Sequence, residues 1–361
     1  MRFTNNAIAG LALLGRVAIA HPGHNIAEEA AERRDFLQSV KRTSLTHCAD
    51  QLKARGIEAR NIARRSAQVE KARKKRGLKK RDLDTVLATS HNETDQGYTV
   101  TQGPYYVAGE YVREDLVEEQ EGLDIILDYQ VIDVNTCEPV PDVYLEIWHC
   151  NSTGVYSGIV SSGNGDSSDE TNIDNTWLRG IQLTDEDGVA QFESIFPGHY
   201  TSRATHIHVM VHTNATLLAN QTLGSENYAS HVGQVFFDQD LITEVELLAP
   251  YNTNTQDLTT NADDSILSEE VVTEGVDPVM EYTMLGDSLS DGLFAWLAFG
   301  INSTLSQAIT PAAYLYADGG VAYENSGSGM DSGGDSTGTP SSGSAPTGTP
   351  STNLPDTFNR A

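Results

Sequence analysis

The sequence contains no lysine after Arg81 and only four arginines there, at 113, 179, 203 and 360, against 44 carboxylates. This part of the chain has a formal charge near −40, whereas the complete 361-residue chain is at −28 because its N-terminal part is basic. A surface this acidic repels nucleic acid and anionic lipid. Neither is therefore expected as a partner. Each arginine of the acidic part therefore needs a specific explanation.

Long apolar runs are also lacking. No stretch approaches the ~20 apolar residues that a bilayer-spanning helix needs, so no membrane span is expected. Hydrophobic residues nevertheless make up 39 % of the chain and fall in short patterned runs, which excludes a chain that is disordered throughout. The length predicts one large domain with appendages.

Cysteine is scarce, with residues 48, 137 and 150 only, so at least one thiol is unpaired. An extended strand between Cys137 and Cys150 would hold them ~25 Å apart, whereas a disulfide needs Cα atoms within ~7 Å. That pairing is therefore disfavoured. Pairing of Cys48 with either of the other two remains open.

The first 20 residues have the features of a secretory signal peptide. Arg2 supplies the positive end, an apolar stretch follows, interrupted only by Arg16, and Ala18–Ala20 forms a small-x-small cleavage site. Five glycosylation sequons agree with export, and we expect a secreted glycoprotein. The sequons begin at Asn92, Asn151, Asn214, Asn220 and Asn302.

Residues 21–96 are predicted to form a basic helical arm or pro-segment, because residues 25–81 lack proline and are rich in helix-forming residues. Three interpretations are open. The arm could be solvated, it could be removed by cleavage after the dibasic pair Lys80-Arg81, or it could lie against the acidic body.

Residues 97–300 change to short β-type runs separated by Gly, Pro, Asn and Asp, with no helical pattern between them. This predicts an all-β fold with an antiparallel β-sandwich core. Residues 301–323 would extend the core, and the Gly/Ser/Thr/Pro-rich residues 324–361 would form a disordered tail without a lipid-anchor signal. The predicted strands are Asp124–Asp133, Val143–Trp148, Gly188–Phe192, His206–His212 and Gln234–Phe237.

The densest set of candidate site residues lies between 196 and 208. His206 and His208 are two positions apart in a predicted strand, so both imidazoles face one side and could bind one metal ion. No cysteine clusters with them and no HExxH pattern occurs, so zinc has weak support. Tyr200 follows a Pro-Gly turn, Tyr156 is a second candidate, and phenolate oxygen favours Fe(III). The alternative is two solvent-facing histidines and two ordinary strand tyrosines.

Over residues 97–300, these motifs resemble the intradiol ring-cleavage dioxygenases, in particular their secreted fungal branch. The family signature is an acidic and an apolar residue, then six intervening residues, then Gly-x-Tyr, and it is matched by Glu146, Ile147, Gly154 and Tyr156. A tyrosine after a Pro-Gly turn, an arginine and the HIH pair are matched by Tyr200, Arg203, His206 and His208. Further similarity lies at 103–106, 112–115 and 177–180. The sequence departs from the family pattern in two places. Tyr200 and His206 are closer together than in the intracellular enzymes, and an insertion, Thr213–Gly233, precedes Gln234. Gln234 is the candidate for a glutamine that the family often has in the strand after HIH.

The resemblance implies a non-haem Fe(III) ion held by Tyr156, Tyr200, His206 and His208. A catechol or hydroxyquinol would bind as a dianion and displace Tyr200, and both atoms of O₂ would enter between the two hydroxyls to give a muconate-type diacid. Arg203, Tyr200 and Gln234 are the expected catalytic residues, with the Arg203 guanidinium stabilising negative charge on the ring. Because the family often dimerises through N-terminal helices, a homodimer through the arm is also expected.

Less specific interpretations stand beside these. Arg203 could form a surface ion pair, Arg113 and Arg179 are expected to pair with buried carboxylates, and Trp148 and Trp177 are expected in the core. The rival function is a non-catalytic secreted β-sandwich that binds aromatics or glycans. A third, weaker hypothesis is copper bound by an N-terminal histidine, His21, after cleavage at Ala20.

Overall fold

The computed structural model describes residues 45–79, 104–224, 228–271 and 276–323. The strands are β1 (Val107–Ala108), β2 (Asp124–Asp133), β3 (Glu138–Pro139), β4 (Tyr144–Trp148), β5 (Arg179–Leu183), β6 (Val189–Ile195), β7 (His206–His212), β8 (Thr216–Leu217), β9 (Leu223–Gly224), β10 (Tyr228–Ala229), β11 (His231–Phe236), β12 (Glu281–Met284), β13 (Leu293–Ile301), β14 (Gln307–Ala308), β15 (Ala313–Tyr316) and β16 (Gly319–Ala322). The α-helices are α1 (Ala49–Ala54), α2 (Ile57–Lys75), α3 (Gln239–Val245) and α4 (Ser265–Glu270).

Two sheets form the predicted all-β sandwich. One has the strand order β11-β7-β4-β5, and the other has β12-β13-β2-β3 with β6 also paired to β2. Alternate residues of β7 (207, 209 and 211) enter the main apolar core, together with residues of β2 and β13. The other face of β7 is therefore free to carry the histidines. The sandwich is not wholly antiparallel as expected, because β2 and β13 pair in parallel.

The strand predictions hold for most of the sandwich. β2 and β7 have the predicted bounds, and β4 begins one residue later than expected. β6 continues to Ile195, three residues beyond the predicted end at Phe192. The prediction for β11 was wrong, because the strand pairs with β7 from His231 to Phe236 rather than beginning at Gln234. The last residues of the supposed insertion before Gln234 thus belong to the sheet.

The arm lies against the acidic body over residues 45–79. Val69 and Ala72 of α2 pack on Phe294 and Trp296, which line the outer face of β13. The end of the helix is held by ion pairs of Lys75 with Glu193 and of Arg76 with Asp124. A solvated arm is therefore wrong for these residues. Cleavage after Lys80-Arg81 concerns residues outside the described ranges, and dimerisation through the arm stays a prediction.

The central contact of the arm is a buried ion cluster around Asp128. Arg64 Nη2 donates to this carboxylate at 2.8 Å, Arg65 Nε at 3.1 Å and Gln191 Nε2 at 2.6 Å. Burial alone would raise the pKa of Asp128, but the two guanidiniums outweigh it and the pKa is lowered. The arm thus supplies the countercharge for an acidic group in the middle of β2.

A disulfide joins Cys48 to Cys137, with the Cα atoms 5.2 Å apart, and Cys150 is a buried free thiol. This is one of the two pairings left open by the sequence, and it links the arm covalently to the turn after β2. None of the helices described here is long and apolar enough to span a bilayer. The expected signal peptide, Asn92 and the tail from residue 324 fall outside the described residues.

Candidate active site

The site is built on the face of β7 that points away from the main core. His208 lies opposite Trp148 of β4 and Gln234 of β11 in the sheet register. The Trp148 indole stacks on the His208 imidazole, with 4.8 Å between ring centroids and 3° between planes. The stacking fixes the orientation of His208. Trp148 is buried as expected, and it also supports a site residue.

His206 has its ring orientation set by its own backbone neighbourhood. His206 Nδ1 lies 2.6 Å from the Ala204 carbonyl oxygen, and because a carbonyl can only accept, Nδ1 carries the proton. Burial, aided by the charge of Arg203, lowers the pKa of His206, so the ring is neutral. The Nε2 atom therefore presents a lone pair toward the site, as a metal-ligating imidazole must.

Three donor atoms converge at this point. The Tyr200 hydroxyl lies 3.2 Å from His206 Nε2, and His206 Nε2 lies 3.2 Å from His208 Nε2. A metal ion with nitrogen ligands at 2.0–2.1 Å and tetrahedral angles holds its donors about 3.3 Å apart. The observed spacing therefore fits ligands around one ion.

Tyr156 completes the set from a separate loop. Its ring centroid is 5.6 Å from that of Tyr200 and 6.1 Å from that of His208. Asn164 holds the backbone of this loop, because its side chain accepts from Tyr156 N and donates to Tyr156 O. All four predicted metal ligands thus lie together, each 3 % exposed or less. Two phenol oxygens and two imidazole nitrogens form a donor set suited to a hard trivalent cation.

Burial dominates the electrostatics of the two phenols. It raises the pKa of Tyr156 and of Tyr200 well above the ordinary value, and the positive charge of Arg203 opposes the rise in both. Without a bound metal ion, both groups are consequently neutral phenols. The nearby Cys150 thiol is similarly buried, which raises its pKa to about 12, so it is not a reactive thiolate.

Two glycines allow the tyrosine-bearing loops to approach each other. A Cβ atom on Gly154, which has φ +80°, would lie 2.2 Å from the His199 carbonyl oxygen. A Cβ atom on Gly198 would lie 2.5 Å from the Ser152 carbonyl oxygen. Side chains at these positions would separate the loops, so the Gly-x-Tyr and Pro-Gly patterns have a direct steric purpose.

Arg203 is buried beside the four rings rather than in a surface ion pair. Its Nη2 donates to Gln234 Oε1, and its Nε donates to Asp264 Oδ2 at 2.9 Å. Gln234, an uncertain assignment from sequence, is thus brought to the site. Asp264 was missed, since one aspartate in the run 261–270 carries no distinguishing pattern. The side chain of Asp264 also caps α4 by accepting from Ile266 N and Leu267 N.

Of the other two arginines of the body, Arg179 lies beside a buried carboxyl group as expected. The prediction of a buried partner was wrong for Arg113. Arg179 is buried 3.7 Å from Glu110, and burial raises the pKa of that carboxyl to about 8. Arg113 pairs at 2.7 Å with Glu118, which is only partly buried. The carboxyl group of the acidic signature residue, Glu146, lies 2.8 Å from His212 Nε2 and so contributes to the sheet rather than to the metal donors.

A cavity of about 660 Å³ opens beside the two tyrosine-bearing loops. Its lining carries hydroxyl and amide side chains but no charged group among the described residues. The lining side chains include Thr153, Ser162, Thr201, Thr253, Asn254, Thr255 and Gln256.

Comparison with known proteins agrees with this site. Residues 101–272 match the Dioxygenase_C family model, described as a dioxygenase. Over this range, the two tyrosines, the HIH pair and the buried arginine are similar to those of the intradiol ring-cleavage dioxygenases. The match covers just under half of the chain, and over that range the chain is similar to this family.

Individual relatives cover different parts of the chain. A catechol 1,2-dioxygenase of Acinetobacter baylyi is 31 % identical over 104 residues, which are 27 % of this chain and 30 % of that protein. The chain thus aligns with under a third of that relative. An intradiol ring-cleavage dioxygenase of Tetranychus urticae is 27 % identical, over 58 % of this chain and 94 % of that one, with a TM-score of 0.46. A hydroxyquinol 1,2-dioxygenase of Pseudomonas putida is 18 % identical, over 60 % and 71 %, with a TM-score of 0.35.

Proposed function

We propose that this protein is a non-haem Fe(III) dioxygenase that opens catechol-type rings between the two hydroxyls, giving muconate-type diacids. The observation that carries the proposal is the convergence of the Tyr200 hydroxyl and the Nε2 atoms of His206 and His208 at 3.2 Å spacings, with Tyr156 beside them. The match of residues 101–272 to the dioxygenase family model supports the reaction class.

The four side chains that would hold the ion are Tyr156, Tyr200, His206 and His208. Bound there, a ferric ion would supply Lewis-acid activation of the catechol toward O₂. Burial of all four keeps bulk water from the reacting atoms. The reaction adds one O₂ across the bond between the hydroxyl-bearing carbons, so both oxygen atoms stay in the product and no external reductant is needed.

Protein groups would handle the proton and the developing charge. Ionised by the bound ion, the Tyr200 oxygen would be a base for one catechol proton, and it lies within hydrogen-bond distance of His206 Nε2. The Arg203 guanidinium is fixed by Asp264 and Gln234, so it can stabilise negative charge on the substrate ring without reorganising. Gln234 orients this guanidinium from the neighbouring strand.

The charge inventory favours catechols without a carboxylate substituent. The body of the protein has no lysine, Arg113 and Arg203 pair with carboxylates, and Arg179 is buried beside the Glu110 carboxyl group. We propose catechol or hydroxyquinol rather than a carboxylated ring as substrate, because Arg203 is already paired with Asp264 and no charged side chain lines the described cavity.

We also propose that the protein is secreted. The leader-like residues 1–20 and the sequons favour export, and the Cys48–Cys137 disulfide supports it because such bonds persist in oxidising compartments. Expression of the full chain in a eukaryotic host tests this, with mass spectrometry of the medium. Protein in the medium that begins after residue 20 is the expected result, and retention of the full chain inside the cell would contradict it.

The activity is tested with iron-loaded protein, catechol and ¹⁸O₂. We expect oxygen uptake and a diacid containing two ¹⁸O atoms, and the Tyr156→Phe variant should lose most of the activity. The rival binding module predicts binding of aromatics that does not depend on metal, without oxygen uptake. Protein that stays colourless and inactive after iron loading would contradict the proposed function.

A further inference from the structure

The side-chain amide of Gln256 lies between the two loops that carry the tyrosines. Its Nε2 donates to the Thr153 carbonyl at 3.0 Å and to the Gly154 carbonyl at 3.3 Å, on the loop that leads to Tyr156. Its Oε1 accepts from Thr201 N at 3.3 Å, directly after Tyr200. One amide group therefore connects the backbones that position both phenols.

The gap between the loops needs donors from elsewhere in the chain. The carbonyl oxygens of Thr153, Gly154 and His199 all border it, and carbonyls can only accept hydrogen bonds. Two amide side chains of one segment supply the donors, with Asn254 Nδ2 reaching the His199 carbonyl at 2.7 Å and Gln256 reaching the other two. Without these donors, the facing carbonyl dipoles would repel each other and separate the loops.

The segment that carries the two amides is itself anchored to the sandwich. The hydroxyl of buried Tyr251 donates to the Phe196 carbonyl at 2.6 Å and accepts from Leu123 N at 3.0 Å. Within the segment, Asn254 Oδ1 accepts from Gln256 N at 3.0 Å. The position of the Gln256 amide is therefore fixed by the fold and does not depend on the tyrosine loops alone.

We infer that Gln256 is a positioning residue that sets the separation of the Tyr156 and Tyr200 hydroxyls. This inference rests on the proposed ferric site, because that separation matters chemically only if both oxygens bind one ion. Gln256 touches neither phenol and acts through the two backbones. Replacing a group that orients metal ligands without touching the metal typically lowers metal affinity or activity by about 10–100-fold.

The cavity beside Gln256 makes the position suitable for substitution. Because about 660 Å³ of open space adjoins the side chain, water can enter when the amide is shortened, and the Gln256→Ala variant should fold. Gln256→Glu keeps the length and the acceptor for Thr201 N but places a carboxylate oxygen against the two carbonyls. Thr255→Ala is the matched control, since Thr255 is an exposed neighbour on the same cavity.

The test compares ferric iron titrations of the wild-type protein and the three variants, followed by the visible absorption of the tyrosinate–iron complex. We expect Gln256→Glu and Gln256→Ala to bind Fe(III) on the order of 10-fold more weakly and to shift the absorption band. Thr255→Ala should match the wild type. Wild-type affinity and an unshifted band in both Gln256 variants would overturn the inference.

Amide hydrogen exchange in metal-free protein separates this inference from the proposed function. Loss of the Gln256 amide should accelerate exchange in the segments 151–156 and 199–203, whereas Thr255→Ala should not. If the wild-type protein binds no ferric iron, the proposed function is contradicted. The exchange rates of the metal-free variants still test whether Gln256 holds the two loops. Unchanged protection of both segments in the Gln256 variants would show that Gln256 does not hold the loops.

Discussion

Arg203 and Asp264 form a buried ion pair, with 2.9 Å between Nε and Oδ2, across 61 residues of sequence. The same carboxylate oxygen accepts from Ala204 N at 2.7 Å, while the other caps helix α4. Burial alone would raise the pKa of Asp264, but Arg203 and the backbone donors outweigh it and lower the pKa. A helix cap thus also holds the guanidinium beside the four candidate metal ligands.

Asp264→Asn should impair catalysis without disrupting the metal ligands. Asparagine is a good helix cap, so α4 should persist, but its NH₂ group would face the N–H donors of Arg203 and Ala204. A displaced guanidinium should lower kcat on the order of 100-fold. Steady-state kinetics checks this, with the iron absorption band expected to stay unchanged. The exposed neighbour variant Asp263→Asn is the control, and a kcat for Asp264→Asn within twofold of the wild type would contradict the assigned role.

Asp128→Asn should destabilise the docked arm. Removing the carboxylate leaves Arg64 and Arg65 without their buried countercharge, and breaking a buried ion pair in this way costs about 3–5 kcal/mol of unfolding free energy. Asp187→Asn is the matched control, because its ion pair with Arg60 on the same helix is partly exposed and contributes about 0–1 kcal/mol. Urea unfolding measures both. Equal effects of the two substitutions would contradict the burial argument.

The same group gives a pH dependence with a definite sign. Since the pKa of Asp128 is lowered from 3.8 in the folded protein, its contribution is fully present above about pH 4–5 and is lost as the pH falls below that value. Stability curves for wild type and Asp128→Asn should therefore converge toward pH 2. Curves that remain parallel from pH 6 to pH 2 would show that folding does not lower the pKa of Asp128, and would contradict the account.

His231 should make the fold sensitive to mild acid. Its imidazole stacks on Phe299 inside the core, with 5.0 Å between centroids, and burial lowers its pKa to about 3. The unfolded chain binds a proton near pH 6.5 while the folded chain does not, so stability falls as the pH drops from 6.5 toward 3. His231→Leu should remove about 2–3 kcal/mol of the loss between pH 7.5 and pH 4.5. Urea midpoints at these two pH values measure it, and an identical loss in both proteins would contradict the account.

Much of the fold could be predicted from short-range sequence patterns. Short β-type runs bounded by turn residues sufficed for β2 and β7, and the two-residue spacing placed His206 and His208 on one face. The family signature pointed to Tyr156, Tyr200 and Arg203. These features are encoded locally, so they can be read without knowing what packs against them.

Contacts that depend on long-range packing could not be predicted in this way. Asp264 and Gln256 lie in polar runs without a distinguishing pattern, and only the packed fold shows what they contact. The partner of Cys137 was likewise undetermined, because Cys48 approaches it only after the arm docks. The parallel pairing of β2 with β13 joins strands more than 150 residues apart and leaves no local signal.

The central claim is that Tyr156, Tyr200, His206 and His208 bind one ferric ion. Crystals of the iron-loaded protein, measured at the iron absorption edge, test it most directly through the anomalous difference map. The account predicts a single strong peak within bonding distance, about 2.0–2.2 Å, of both phenol oxygens and both Nε2 atoms. An empty site, or a peak bound by surface carboxylates instead, would contradict it.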